Sequence, residues 1–318
     1  MRKTMELLAL TLCLLLSGCG REAADAGSLW GQAAGLDDNA PLLTVDGREI
    51  PAWKYLYWLA ADCQQLEERY DASNTALDWL STTPEGDTLG DLVKEEALAD
   101  TILYAVVDNW AELYGCTLTE EELGNLPKRS YPGLTEEQAQ VLSETGRKYV
   151  NLYTLYETSG SPLAPAEGEL ELFQQTSGLL AAERIMVPAG DDREAARQRA
   201  AELFARLNAA EDQASAFDAL LTETGGGSLP EEEWTGALKD AASALEPGQI
   251  SGIIETDAGF SILRRLPIDE GTLRETYFNN LLQDAAASCE IQCTDAYNSL
   301  QTGAFWAAVR EMESISRN

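Results

Sequence analysis

The stretch Ala181-Ala182-Glu183-Arg184-Ile185-Met186-Val187 opens the part of the chain whose reading decides the fold. It is apolar, bounded by turn residues and strand-like. Asp191 or Asp192 then caps a helix with Ala196, Ala200, Leu203, Phe204 and Leu207 on one face. A second helix carries Phe217, Leu220 and Leu221 and stops at Gly225-Gly226-Gly227. A short helix spans Lys239–Leu245, and Pro247-Gly248 marks a turn. Ile250–Glu255 and Gly259–Leu266 read as strands around Thr256-Asp257-Ala258-Gly259. The order β-α-α-α-β-β within residues 181–267 predicts a small α+β domain.

On both sides of this module the pattern is helical. Upstream, Leu42–Val45 is a short strand-like run, Asp46-Gly47 a turn signal, and Ile50-Pro51 opens a helix bearing Trp53, Leu56, Tyr57 and Ala60. Thr88 caps the best-patterned helix, with Leu89, Leu92, Val93, Ala99, Ile102, Leu103, Val106, Val107, Trp110 and Leu113 on its apolar face. That helix ends near Gly115, and Thr117–Glu122 caps a short further one. Thr135–Glu144, Lys148–Glu157 and Ala166–Thr176 read as three more. Downstream come Leu273–Ala287, Thr294–Thr302 and Phe305–Glu313. Packing of the two helical parts on each other is the simplest way to cover them. Tyr277, Phe278, Leu281 and Leu282 are expected to face the apolar side of 89–113.

The N-terminus has the organisation of an export signal. Arg2 and Lys3 precede an apolar run from Leu7 to Leu16, too short to span a bilayer comfortably. Leu16-Ser17-Gly18-Cys19 resembles the bacterial lipobox, which implies a signal peptide over 1–18 and a lipid on Cys19. Residues 19–40, rich in Gly, Ala and Asp, read as a tether. Cys63, Cys116, Cys289 and Cys293 then remain, and they read as scattered buried thiols whose disulfide status the sequence leaves open. A Cys289–Cys293 bridge would close only a small loop.

With 22 Lys+Arg against 54 Asp+Glu, the formal net charge is −32, which leaves no basic footprint for nucleic acid. The chain has no histidine, so it has no Ser-His-Asp triad, Cys-His dyad or histidine-ligated zinc. Gly225-Gly226-Gly227 lacks the Gly-Lys-Ser/Thr of a phosphate loop. No calcium-loop motif is present, and neither a metal nor a cofactor is expected. Glu231-Glu232-Glu233 reads as a solvated acidic loop. Trp53, Tyr55, Tyr57 and Trp58 read chiefly as core, and one or two exposed aromatics on a client-binding surface is the alternative, since four aromatics in six positions cannot share one helix face.

Several segments resemble one family in the right order. Leu43-Thr44-Val45-Asp46-Gly47-Arg48-Glu49-Ile50 is similar to the entry of the SurA/PrsA chaperone domain, and Gly115–Glu122 resembles its continuation. Ala182–Val187 resembles the first strand of a parvulin-type peptidyl-prolyl isomerase. Phe217–Leu220, Gly226–Leu229, Leu245–Gly252 and Thr256–Phe260 are similar to its later motifs. The resemblance implies an α+β fold in which a helical chaperone domain, 41–178 with 269–318, carries an inserted parvulin-like domain at 179–268. It implies a lipid-anchored folding factor at the extracytoplasmic face of a bacterial membrane, acting on unfolded or proline-containing secreted polypeptides. The family's active-site positions fall at Arg184, Trp234, Leu238 and Ser261, and a later pocket phenylalanine at Ser243; none keeps the family residue. The loop after Leu221 is shortened to Thr222-Glu223-Thr224.

Isomerisation needs only that the twisted amide be bound better than the planar one, against a barrier of ~18–20 kcal/mol. With no imidazole in the chain, weak or absent activity is expected. An active isomerase, with Arg184 and Ser261 forming a substitute network, is the alternative. A solute-binding or structural lipoprotein is the third reading; solute-binding lobes call for repeated parallel βαβ units, which the pattern lacks.

Overall fold

The structure, a computed structural model, describes residues 27–316 apart from 85, 231, 232 and 235. The leader 1–18, the lipid site Cys19, and Glu231 and Glu232 of the acidic loop lie outside the described residues. In chain order the elements are α1 Leu29–Ala34, β1 Pro41–Val45, β2 Arg48–Pro51, α2 Ala52–Ala72, α3 Leu89–Leu113, α4 Glu120–Gly124, α5 Glu136–Glu157 and α6 Glu169–Thr176. They continue as β3 Ala181–Pro188, α7 Arg193–Ala209, α8 Gln213–Thr224, β4 Gly227–Ser228, α9 Gly236–Ser243, β5 Ile254–Thr256 and β6 Gly259–Leu266. The last are α10 Glu270–Ser288, β7 Ile291–Cys293, α11 Asp295–Ser299 and α12 Thr302–Ser316. The fold class is α+β. Both sheets are antiparallel throughout, which removes the parallel βαβ lobes of the solute-binding reading.

The chain divides into two compact units: one built from the residues up to Ala164 together with those from Phe278 on, the other from Pro165–Tyr277. The units change over at Pro165 and Phe278, so residues 165–178 and 269–277 group with the module expected at 179–268. Tyr277 explains the shift, because its ring meets Phe173 edge-on at 5.1 Å and its hydroxyl donates to Glu169 at 3.1 Å.

In the first unit, Asp46 and Gly47 both adopt positive φ (50° and 78°), the geometry of a two-residue hairpin turn, so Arg48–Pro51 pairs back on β1 as a strand. Helix α2 starts only after it, with Pro51 at the N-cap. The sheet order is β2-β1-β7, with Leu43 opposite Cys293. Residues 291–293, between the helices expected at 273–287 and 294–302, are thus a strand. The four described cysteines are free; Cys63 alone is buried and Cys293 is exposed. Ends and middle of the chain meet here as expected, but through different contacts. Helix α3 packs on α2, α5 and α12, while Phe278 of α10 sits among Tyr149, Tyr153 and Tyr156 of α5. Leu92 and Leu113 of the expected α3 face are exposed, and Ala97, Thr101 and Ala105 are buried in their place.

Two further expectations are corrected, and the alternative of exposed aromatics on α2 is removed. Residues 28–40 are folded rather than tether: Trp30 of α1 is 5 % exposed, and Asp38 accepts from the Ser28 hydroxyl (2.6 Å) and the Gln138 amide (2.9 Å). Helix α5 runs unbroken through Gly146, because Thr145 is pinned to Asp108 of α3 at 3.1 Å and offsets the cost of the glycine. Trp53 and Tyr55 are buried, and Tyr57 and Trp58 are half-buried in edge contacts with each other, Tyr131 and Tyr104. None of the four is an exposed aromatic.

Asp62 of α2 lies near Glu96 and Asp100 of α3, and one of its oxygens is buried without a hydrogen-bond partner. Burial, then Asp100 and Glu96, push the Asp62 carboxyl up to about 8 against the opposing pull of Arg69. Burial and Glu96 push Asp100 up to about 6. Raised acids bind protons in the folded state that the unfolded chain has released. Stability is therefore full below the unfolded value near 4 and falls as pH rises through 6 and 8. Denaturant unfolding should show a loss on the order of 2 kcal/mol between pH 5 and 8, and Asp62→Asn should flatten most of that slope.

Candidate functional site

The second unit builds its site on one face of the sheet β4-β3-β6-β5. Alternation along β3 and β6 sorts the side chains. Ile185, Val187, Phe260 and Ile262 face α7 and α8, where Leu203, Leu207, Phe217 and Leu220 complete a core. Arg184, Met186, Ser261 and Leu263 occupy the opposite face. There Leu263 packs with Leu229, Leu238 and Ala242, flanked by the partly buried Trp234 and Ile254. The local sequence explains how the strand and its neighbours are held. Asp192 caps α7 by accepting from Ala195 N–H at 3.0 Å, and Gly225 ends α8 at φ 67°. A Cβ on Gly226 would lie 2.4 Å from the Arg184 carbonyl oxygen, so only glycine lets β4 approach β3 at this point.

Arg184 and Ser261 lie on neighbouring strands but not directly opposite: Arg184 pairs with Leu263, and Ser261 with Met186. Diagonal neighbours of this kind sit roughly 7–8 Å apart. The ion partner of Arg184 is Glu233, whose carboxylate meets the guanidinium Nη1; no hydrogen bond joins Arg184 to Ser261 among the described residues. The side chain of Arg184 is 14 % exposed and that of Glu233 43 %. Trp234 and Leu238 both reach the apolar wall of this face, Leu238 fully buried. Ser243 does not: it is exposed at the end of α9, and its hydroxyl donates back to Lys239 O at 2.8 Å. Among the expected positions, then, Arg184, Trp234, Leu238 and Ser261 come together and Ser243 stays apart.

Three residues of this face were not legible in advance. Ser251 accepts from Leu263 N–H (2.8 Å) and donates to Gly252 O (2.7 Å). A side-chain hydroxyl thus takes a ladder position, and the expected strand 250–255 is reduced to β5. Arg265 is on the same face as Arg184, opposite Ala182, and donates to the main-chain carbonyls of Ala242 (3.2 Å) and Leu179 (3.1 Å). Burial holds its guanidinium below the usual arginine range. Glu233 ends the acidic run 231–233, whose composition by itself indicates a solvated loop. Neither ion pairing nor main-chain clamping leaves a spacing signature, so no sequence signal marks these roles. Among the described residues, no group of His, Cys, Asp or Glu is arranged to hold a metal ion. No described helix is long and apolar enough to cross a membrane.

Residues 179–266 match the Rotamase family, the PPIC-type PPIASE domain. No curated protein matches the chain. Among solved structures, the chain is similar to the peptidylprolyl isomerase PrsA of Bacillus cereus at 16% identity, covering 74% of this chain and 91% of that one, with a TM-score of 0.21. For PrsA of Bacillus subtilis the identity is 13%, the coverage 87% and 93%, and the TM-score 0.21. For a SurA-like chaperone of Campylobacter jejuni they are 15%, 78% and 92%, and 0.22.

Proposed function

We propose that this chain, whose residues 179–266 match the PPIC-type PPIASE domain, is an extracytoplasmic folding factor of the SurA/PrsA type. In this reading the rotamase-like domain holds proline-containing segments more than it turns them over. The signal-like n- and h-regions and the Leu16–Cys19 lipobox support lipid anchoring at Cys19 on the extracytoplasmic face of a membrane. The clients are unfolded secreted polypeptides. Apolar contacts supply affinity, and the charge of −32 keeps copies of the chain apart.

The observation that carries the reading is the site face itself. It presents the partly exposed Trp234 over a closed core of Leu263, Leu238 and Ala242, and offers an arginine tied to Glu233 where a neutral hydrogen-bonding group would tune the amide. A cation already paired in the free protein has little left to offer the twisted amide alone, so the gain in the transition state over the ground state is small. Exchange spectroscopy on an Ala-Pro peptide should give an isomerisation rate within about twofold of the uncatalysed one. A rate tenfold higher would establish the domain as a working isomerase. Residues 20–318 at stoichiometric excess should delay aggregation of a reduced, unfolding client, and the absence of any delay would remove the folding-factor reading.

A further inference from the structure

In the first unit the sheet β2-β1-β7 ends on β7, and no strand pairs with its outer edge among the described residues. Thr294 N–H donates to Leu42 O at 3.1 Å, and Glu290 O accepts from Asp46 N–H at 2.9 Å. Residues 290, 292 and 294 therefore turn their main-chain groups toward β1, and alternation points the N–H and C=O of Ile291 and Cys293 away from it. Among the described residues, no main-chain or side-chain group bonds those two donors and two acceptors. Natural edges are blunted by proline, lysine, a bulge, a covering helix or plain shortness. The sequence Ile291-Gln292-Cys293 has neither proline nor lysine, pairs with β1 without a register shift and is exposed at all three residues. Shortness is the protection it keeps.

The side chains around this edge say what would fit it. Ile291 and Cys293 lie opposite Val45 and Leu43, both completely buried, so they carry that apolar face out to solvent. Glu290 and Asp295, both exposed, bracket the strand with negative charge. Lys94, whose charge reaches Cys293, is turned elsewhere: its Nζ donates to Leu300 O at 3.0 Å and lies 4.6 Å from the centre of the Tyr297 ring. A second copy adding β7 to β7 about a twofold axis would set Glu290 of one beside Asp295 of the other, and like charges on adjacent strands repel. A basic segment meets attraction at the same places. Resting on the client-binding reading above, we propose that the outer edge of β7 is a strand-addition site for an extended, proline-free client segment with β-branched apolar residues at alternate positions and Lys or Arg at its ends. Main-chain bonds supply the affinity, and alternate side chains cover Ile291 and Cys293. Proline is excluded because an added strand must supply its own N–H groups. The first unit thereby takes segments of a client that a proline-binding domain passes over.

The test titrates the full, 15N-labelled chain, under reducing conditions, with the blocked peptides Lys-Val-Thr-Val-Lys and Glu-Val-Thr-Val-Glu. A third peptide is the lysine one N-methylated at both valines. Antiparallel pairing sets the valines opposite Ile291 and Cys293 and the last lysine opposite Glu290. The lysine peptide is expected to shift the amide signals of Ile291 and Cys293. It should bind about tenfold tighter than the glutamate peptide at low salt, with the ratio shrinking at 300 mM salt as screening grows (about 10 Å Debye length at 0.1 M). N-methylation should weaken the lysine peptide about tenfold or more, although it alters no side chain. Cys293→Pro removes one edge-facing N–H, leaves the bonds of Gln292 and Thr294 to β1, and should weaken that peptide about as much. Glu290→Gln together with Asp295→Asn should bring the lysine and glutamate peptides within about twofold of each other. Equal binding of the N-methylated peptide, or signal shifts confined to 179–266, would overturn the proposal without any variant having to fold. A dimer of the unsubstituted chain that Cys293→Pro dissolves would give the edge to a second copy and overturn it too. If no peptide binds while client aggregation is still delayed, this proposal fails and the folding-factor reading stands. If the lysine peptide binds at β7 and no client is delayed, the edge stands as a peptide site and the folding-factor reading goes.

Discussion

Asp108→Asn is expected to destabilise the unit containing it by about 3 kcal/mol, read as a drop in denaturation midpoint at neutral pH. The Asp108 side chain is 6 % exposed and meets Lys148 at 2.8 Å and Lys54 at 3.2 Å, each of those about one-fifth exposed. Thr145 adds a third bond at 3.1 Å. One carboxylate of α3 thus ties α2 and α5 together. Neutralising it leaves two lysines packed in the interior without a counter-charge; their residual exposure puts the cost at the lower end of the range for broken buried pairs. Burial pushes the Asp108 carboxyl up, but Lys54 and Lys148 outweigh it and hold it below the usual aspartate range. An acid depressed in the folded state contributes stability above its unfolded value near 4 and loses it as pH falls through the folded value. The variant should therefore approach the parent's stability in acid, and an equal gap at every pH would show that the charge is not the cause. Lys54→Met, which leaves Lys148 on the carboxylate, should cost only about 1 kcal/mol.

Phe278→Ala is expected to cost about 4 kcal/mol in the same unit. Phe278 is completely buried, with ring centroids of Tyr149, Tyr153 and Tyr156 at 5.5, 5.3 and 5.2 Å. Truncation opens a cavity that the three tyrosine rings cannot close without leaving their rotamers, and it removes the aromatic contacts as well. The residue opens the C-terminal part of the unit, so its loss loosens the return of the chain onto α5. A midpoint change worth under 1 kcal/mol would mean that β7 and α12 alone hold the C-terminal part in place. Phe278→Leu, which keeps most of the volume, should recover more than half of the loss.

Much of the α+β module was legible because its elements carry local signals. The apolar run at 181–187, the cap Asp192, the stop at Gly225 and the turn at Pro247-Gly248 all act within a few residues of themselves, as does the cap Thr88 in the helical unit. The capping box of Thr119 and Glu122 likewise belongs to its own helix. The errors share one origin. Residues 48–51 and 291–293 become strands because β1 lies between them, and 250–253 fails to become one because Ser251 supplies a hydroxyl to Leu263. Trp30 leaves the expected tether for the core because a buried indole outweighs the flexibility of the Gly- and Ala-rich residues around it. At the site, the alignment of motifs placed Arg184, Trp234, Leu238 and Ser261 on one face but missed Glu233 as a partner and misplaced Ser243, whose outcome turned on which way α9 faces.

By itself the chain's order of residues settled the class of fold, the helical flanks around a small sheet module, and the absence of any imidazole chemistry. Periodicity, caps and composition are properties of short windows, and they survive whatever the rest of the chain does. Tertiary structure alone decided that Arg184 answers to Glu233 rather than Ser261, that Asp108 joins three helices, and that Phe278 of α10 meets the tyrosines of α5. Those outcomes depend on register and on which charges share a desolvated space, and Coulomb attraction and burial act between residues far apart in sequence.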